Sequence, residues 1–159
     1  LNKYGMSKLK GEKNIINSKN KNFLILRTSW LYSKYNNNFP KKILALLKSK
    51  KKINIVKDEY GIPTSSTFVI NNLIRILSVS KYYIKGIFHL CPEGKTSRYQ
   101  FAKYIKKVHK SKGEIYENSK LQHGIVRRPL KIILSSKKIQ KKLKINFLKW
   151  NKYYTKEML

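Results

Sequence analysis

The stretch Phe23-Leu24-Ile25-Leu26-Arg27-Thr28-Ser29-Trp30 decides the fold. Four apolar residues in an unbroken run predict a short strand buried on both faces. The run stops abruptly at Arg27. In an open α/β sheet, ligands gather beyond the carboxyl ends of the strands. Arg27, Thr28, Ser29 and Trp30 are therefore site candidates, with a core or rim aromatic as the plainer role for Trp30.

Upstream of this strand, Tyr4 to about Asn17 reads as a helix with Leu9 and Ile16 on its apolar side. Tyr4 and Lys8 are four residues apart, so they project from one helical face. An ammonium beside a phenol favours the phenolate and draws the tyrosine down from its usual value of about 10. Such a tyrosine can protonate a carbonyl oxygen as hydride reaches the carbon. The spacing alone decides little. With 11 Tyr and 37 Lys or Arg in 159 residues, chance gives roughly two or three such pairs. Tyr99/Lys103 and Tyr116/Lys120 share the spacing and read as solvated edges of basic helices or loops.

Downstream, helices and strands alternate. Phe39 to about Leu47 is an amphipathic helix with Pro40 in its first turn. Ile53–Val56 is a strand that runs into the Gly/Pro loop Asp58–Ser65. Ser66 or Thr67 is expected to cap a helix reaching about Val79, with Val69, Leu73, Ile76 and Leu77 inward. Gly86–Leu90 is a strand whose His89 reads as structural. Thr96 or Ser97 caps a helix to about Lys110 that buries Phe101, Ile105 and Val108. Residues 111–124 read as irregular. A short Lys-rich helix after Ser135 or Ser136 and a last helix from about Leu148 complete the chain. This alternation predicts an α/β fold. It contains no Gly-rich phosphate loop, no Cys/His metal spacing and no Ser-His-Asp set.

Composition bounds the function. Hydrophobic content of 41% suits a domain with a real core, or part of a larger one. No apolar run is long enough to span a membrane. The polar start has no signal-peptide pattern and no Met, so a fragment or processed chain is expected. The lone Cys91 excludes an intramolecular disulfide and suits a reducing cytoplasm. The net charge is +30, from 37 basic and 7 acidic residues. Its charges are Lys-dominated and dispersed, without a base-reading signature, so specific nucleic-acid binding is not expected. Salt-sensitive adhesion to polyanions is.

Together the segments resemble a known family. Tyr4-Gly5-x-Ser7-Lys8-Leu9-x-Gly11-Glu12, Leu26-Arg27-Thr28-Ser29-Trp30-Leu31-Tyr32, Asn37-Asn38-Phe39 and Asp58-x-x-Gly61-x-Pro63-Thr64 look like the dTDP-4-dehydrorhamnose reductases. These are extended short-chain dehydrogenases/reductases. Gly86–Leu90, Thr96-Ser97-x-Tyr99-x-Phe101-Ala102 and Arg127-Arg128-Pro129 fit the same pattern.

The resemblance implies the carboxyl-terminal part of a Rossmann-like fold with a small α/β substrate-binding domain. The Gly-rich nucleotide-binding half would precede it. Rossmann elements (about residues 1–35 and 53–80) would interleave with substrate-binding segments (about 36–52 and 81–159). The implied reaction is reduction of the 4-keto group of dTDP-4-dehydro-L-rhamnose with NADPH, or NADH. Tyr4 would be the proton donor, and Lys8 its partner and a ligand of the nicotinamide ribose. Arg27, Thr28 and Ser29 would line the nicotinamide end. Trp30 would pack on the deoxysugar, Asn38 would lie near the substrate, and Arg128 would meet the diphosphate. Mg²⁺ occurs in some members, but its ligands have no evident place here. The implied partners are the dTDP-sugar and either a missing amino-terminal half or a second protomer. The chain by itself is expected to be inactive. The alternatives are a non-catalytic reductase-like regulatory subunit and a basic nucleic-acid-binding protein.

Overall fold

The structure is a computed structural model that describes residues 2–20, 22–35, 37–49, 52–79, 84–119 and 129–159. The fold is α/β. Its elements run α1 (Lys3–Ile16), β1 (Leu24–Arg27), β2 (Leu31–Tyr32), α2 (Phe39–Lys48), β3 (Ile53–Val56), β4 (Tyr60–Gly61), β5 (Thr64–Ser65) and α3 (Ser66–Val79). Then follow β6 (Gly86–His89), β7 (Thr96–Ser97), α4 (Arg98–Val108), β8 (Ile115–Asn118), α5 (Lys137–Leu143) and α6 (Trp150–Met158).

The strands pair by twos. β1 lies parallel to β6, with Ile25 opposite Ile87 and Arg27 opposite His89. β2 lies parallel to β5, and β3 parallel to β8. β4 and β7 are antiparallel. Parallel pairing requires long crossovers, and the helices between the paired strands supply them.

Two apolar clusters hold these layers. The first gathers Tyr32, Ile43, Leu47, Ile53, Ile55, Phe101, Ala102, Ile105 and Tyr154 from β2, α2, β3, α4 and α6. The second gathers Phe68, Ile76, Ile84, Phe88, Leu90, Ile139 and Phe147 around α3, β6 and α5. Helix α6 belongs to both. Its Tyr154 is buried in the first cluster, and its Tyr153 packs edge-on against Phe68 of the second, ring centroids 4.8 Å apart.

The local signals explain most boundaries. Asn38 caps α2 by accepting from the Lys41 amide, and Pro40 occupies its first turn. Ser97 and Gln100 form a capping box that starts α4. Four expectations need correction. The cap of α3 is Ser65, whose Oγ accepts from the Phe68 amide at 3.1 Å, because the Thr64–Ser65 strand delivers it there. Residues 115–118 are a strand rather than irregular chain, since the free edge of β3 takes them as a parallel partner. In β1 only Ile25 is fully buried, because β1 is laddered on one side, to β6. Leu73 and Leu77 of α3 point outward, with Leu77 62% exposed. Phe68, Asn72 and Ile76 form the buried stripe instead, at i, i+4 and i+8.

Candidate active site

Helix α1 starts at Asn2, whose side chain accepts from the Gly5 amide at 2.8 Å. It buries none of its residues, so Leu9 and Ile16 do not form the inward side expected of them. Tyr4 is 70% exposed. The Lys8 ammonium lies 5.2 Å from the centroid of the Tyr4 ring, over its face. The predicted pair is thus brought together on an open helical surface.

One ion pair ties this helix to the end of β1. Arg27 Nε donates to Glu12 Oε1 at 2.8 Å, and Nη2 donates to Oε2. Such forked pairing suits a guanidinium. The Arg27 bonds hold the Glu12 carboxyl below its usual range, and Glu12 in turn raises Arg27. Thr28 follows on the surface, its Oγ1 3.9 Å from the Cys91 thiol.

Ser29 turns inward. Its hydroxyl donates to the Ile62 carbonyl at 2.9 Å and accepts from the Ile62 amide at 3.3 Å. The Thr64 amide donates to the Trp30 carbonyl at 3.2 Å. The two sequence blocks 27–32 and 58–64 are therefore one structural unit.

Trp30 has φ +43°, in the left-handed region. A non-glycine residue there costs about 1–2 kcal/mol, and its neighbours hold it. The Arg98 guanidinium lies 3.8 Å above the Trp30 ring. Gly61 backs onto the indole so closely that an added Cβ would lie 2.4 Å from Cε2. Asn38, besides capping α2, donates from Nδ2 to the Ser33 carbonyl at 2.6 Å. Arg127 and Arg128 lie outside the described residues.

Arg98 and Glu59 were not singled out by the sequence, and Gly61 was expected only as a loop and motif glycine. Arg98 is the first residue after the Ser97 cap, a place where a charged side chain ordinarily reads as solvated. Near them, Lys57, Asp58, Tyr60, Tyr99, Lys103 and Glu117 border a polar cleft of about 520 Å³. The second Tyr/Lys pair thus lies beside this cleft, with the Lys103 ammonium 5.4 Å from the Tyr99 ring.

The residues present suit the nicotinamide end of a dinucleotide. An exposed phenol and ammonium share a face of α1, and the end of β1 is tied to Glu12 of the same helix. For the pyrophosphate, the described residues offer no Gly-rich strand-to-helix turn. No group of three or more His, Cys, Asp or Glu among them could hold a metal ion. No described helix is long and apolar enough to cross a membrane.

The chain is similar to known proteins. The family model of the RmlD substrate binding domain matches residues 1–159. The dTDP-4-dehydrorhamnose reductase of Sinorhizobium fredii is 46% identical over 110 residues, covering 67% of this chain and 37% of that protein. The Escherichia coli K12 enzyme of the same name is 35% identical over 108 residues, covering 66% and 36%. The crystal structure of the Bacillus anthracis dTDP-4-dehydrorhamnose reductase in complex with NADP matches with a TM-score of 0.89 at 28% identity. That match covers 97% of this chain and 54% of the other. The chain spans about a third of the length of these curated relatives and about half of the solved one.

Proposed function

Because this chain belongs to the RmlD substrate binding domain family, we propose that it is the substrate-binding and proton-donating part of a dTDP-4-dehydrorhamnose reductase. The observation that carries this reading is the Tyr4/Lys8 pair, exposed on one face of α1, a helix whose Glu12 is ion-paired to Arg27 at the carboxyl end of β1. That is where an open α/β sheet collects its ligands.

NADPH, or NADH, supplies the hydride when bound. The chain's own residues do the rest. Tyr4 holds the proton destined for the C4 oxygen of dTDP-4-dehydro-L-rhamnose. Lys8 stands beside the phenol and balances the negative charge left when that proton departs. Thr28 and the Arg27 stem border the nicotinamide. Ser29 acts from behind, by fixing the strand end against Ile62. Trp30 forms the wall for the deoxysugar, Asn38 shapes the neighbouring turn, and Arg128 meets the diphosphate. On this reading about residues 1–35 and 53–80 complete the cofactor-binding sheet. The absence of buried residues in α1 supports this, since the helix is then ready to pack on a further layer. The reaction is placed in the cytoplasm.

The test is loss of nicotinamide absorbance when dTDP-4-dehydro-L-rhamnose is added. It is run on the chain alone and on its fusion to the part of the Bacillus anthracis relative that the chain does not cover. Turnover is expected from the fusion only. A folded, NADPH-binding fusion without turnover sinks the reading.

A further inference from the structure

We propose that Arg98 is the positioning residue of this site, setting the orientation in which the Trp30 indole meets the sugar. The inference rests on the reading of Trp30 as a wall of the substrate pocket. Its geometric basis is independent of that reading.

Arg98 is engaged on three sides. Its guanidinium carbon lies 3.8 Å from the centroid of the Trp30 ring and 4.7 Å from that of Phe39. Its Nε is 3.6 Å from Glu59 Oε2. Its backbone amide donates to the Glu59 carbonyl at 3.0 Å. The capping box of Ser97 and Gln100 fixes the backbone from which it springs. The ion-paired side chains are only 20% and 18% exposed. A guanidinium so placed is more than a surface charge. It is a cation over an aromatic face, partly shielded from water, where such contacts are strongest.

Trp30 needs such a partner. Its backbone is in the left-handed region, and its ring is half-exposed. Gly61 closes one approach to the indole, and Arg98 covers the ring. With Arg98 gone, the indole gains rotamers that substrate binding must then remove. Arg98 does not itself touch the reacting atoms on this reading. It acts through Trp30, so its loss weakens substrate binding and leaves the proton transfer from Tyr4 alone.

The test uses fluorotryptophan incorporated at both tryptophans and read by fluorine NMR. Trp150 packs on Phe101 and Tyr104 and reports core integrity. In Arg98→Ala the Trp30 resonance is expected to move and broaden, with the Trp150 resonance unchanged. Arg98→Lys keeps a cation and restores part of the shift. An unmoved Trp30 line in Arg98→Ala overturns the proposal. So does collapse of both lines, which would make Arg98 a residue required for folding. In the fusion enzyme, Arg98→Ala is expected to raise KM for the dTDP-sugar roughly three- to thirty-fold, with kcat little changed. A fall in kcat at constant KM overturns the proposal as well. An inactive wild-type fusion instead refutes the reductase reading, and the fluorine spectra then decide the role of Arg98.

Discussion

The Ser29 hydroxyl and the Ile62 main chain are joined twice, by donation to the carbonyl at 2.9 Å and acceptance from the amide at 3.3 Å. Thirty-three residues separate them in sequence. This double contact locks the carboxyl end of β1 to the Gly/Pro loop. Ser29→Ala strands the buried Ile62 amide, while the Ile62 carbonyl keeps its bond from Thr64 Oγ1 at 3.2 Å, and is expected to cost about 1–3 kcal/mol. Urea unfolding checks this, and a midpoint equal to wild type contradicts it.

Gly61→Ala places a methyl group 2.4 Å from Trp30 Cε2. Either the indole or the β4 backbone must yield, at about 1–3 kcal/mol. A shifted Trp emission together with a lower melting temperature is the expected signature. A change in neither would mean that the loop has slack.

Tyr4→Phe removes one oxygen from an exposed side chain on a helix that buries nothing. Folding should be unchanged by circular dichroism. Turnover of the fusion enzyme should fall by about 10²–10⁴. Retained turnover would remove Tyr4 from the chemistry.

Glu157 is a buried carboxylate, 6% exposed. Oε1 accepts from Ser66 Oγ at 3.2 Å and the Lys34 amide at 3.4 Å, and Oε2 accepts from the Thr67 amide at 3.2 Å. It thus adds negative charge at the start of α3, where the helix dipole favours it. With burial as the larger cause, it also pushes the Tyr32 hydroxyl well above the usual tyrosine range. Glu157→Ala is expected to cost about 1–3 kcal/mol in a chemical denaturation experiment.

His109 ends α4, with Nε2 3.1 Å from the Tyr154 hydroxyl. Burial, and then the Lys48 charge, lower its affinity for a proton. The unfolded chain therefore binds that proton first. Stability is full above the unfolded value of about 6.5 and falls as pH drops toward the lowered folded value. Melting temperatures taken downward from about pH 7.5 should decline, and His109→Gln should flatten the decline. Parallel curves for the two proteins would exclude this histidine as the cause.

The strand before Arg27 and the cap at Ser97 were legible because each signal is local. The inward face of α3 was not. Ile70, Leu73, Ile74 and Leu77 make the helix apolar nearly all round, and periodicity then cannot choose a face. β8 was missed because Ile115-Tyr116-Glu117-Asn118 becomes a strand only through β3, about sixty residues earlier. At the site, the exposed Tyr4/Lys8 pair matched a spacing that sequence displays. The clamp of Ser29 on Ile62 and the cover of Arg98 over Trp30 depend on pairings between distant segments, which spacing does not record.

Helix α6 places a temporal order on the molecule. The Lys34 amide meets Glu157 across 123 residues, and Tyr154 and Tyr153 enter separate clusters. On the ribosome, β2, α2, α3 and α4 all emerge before the segment that joins their cores. Contacts of such sequence separation form slowly. Until α6 is released, the growing chain carries two unfinished apolar surfaces at once, and their completion is a single late event.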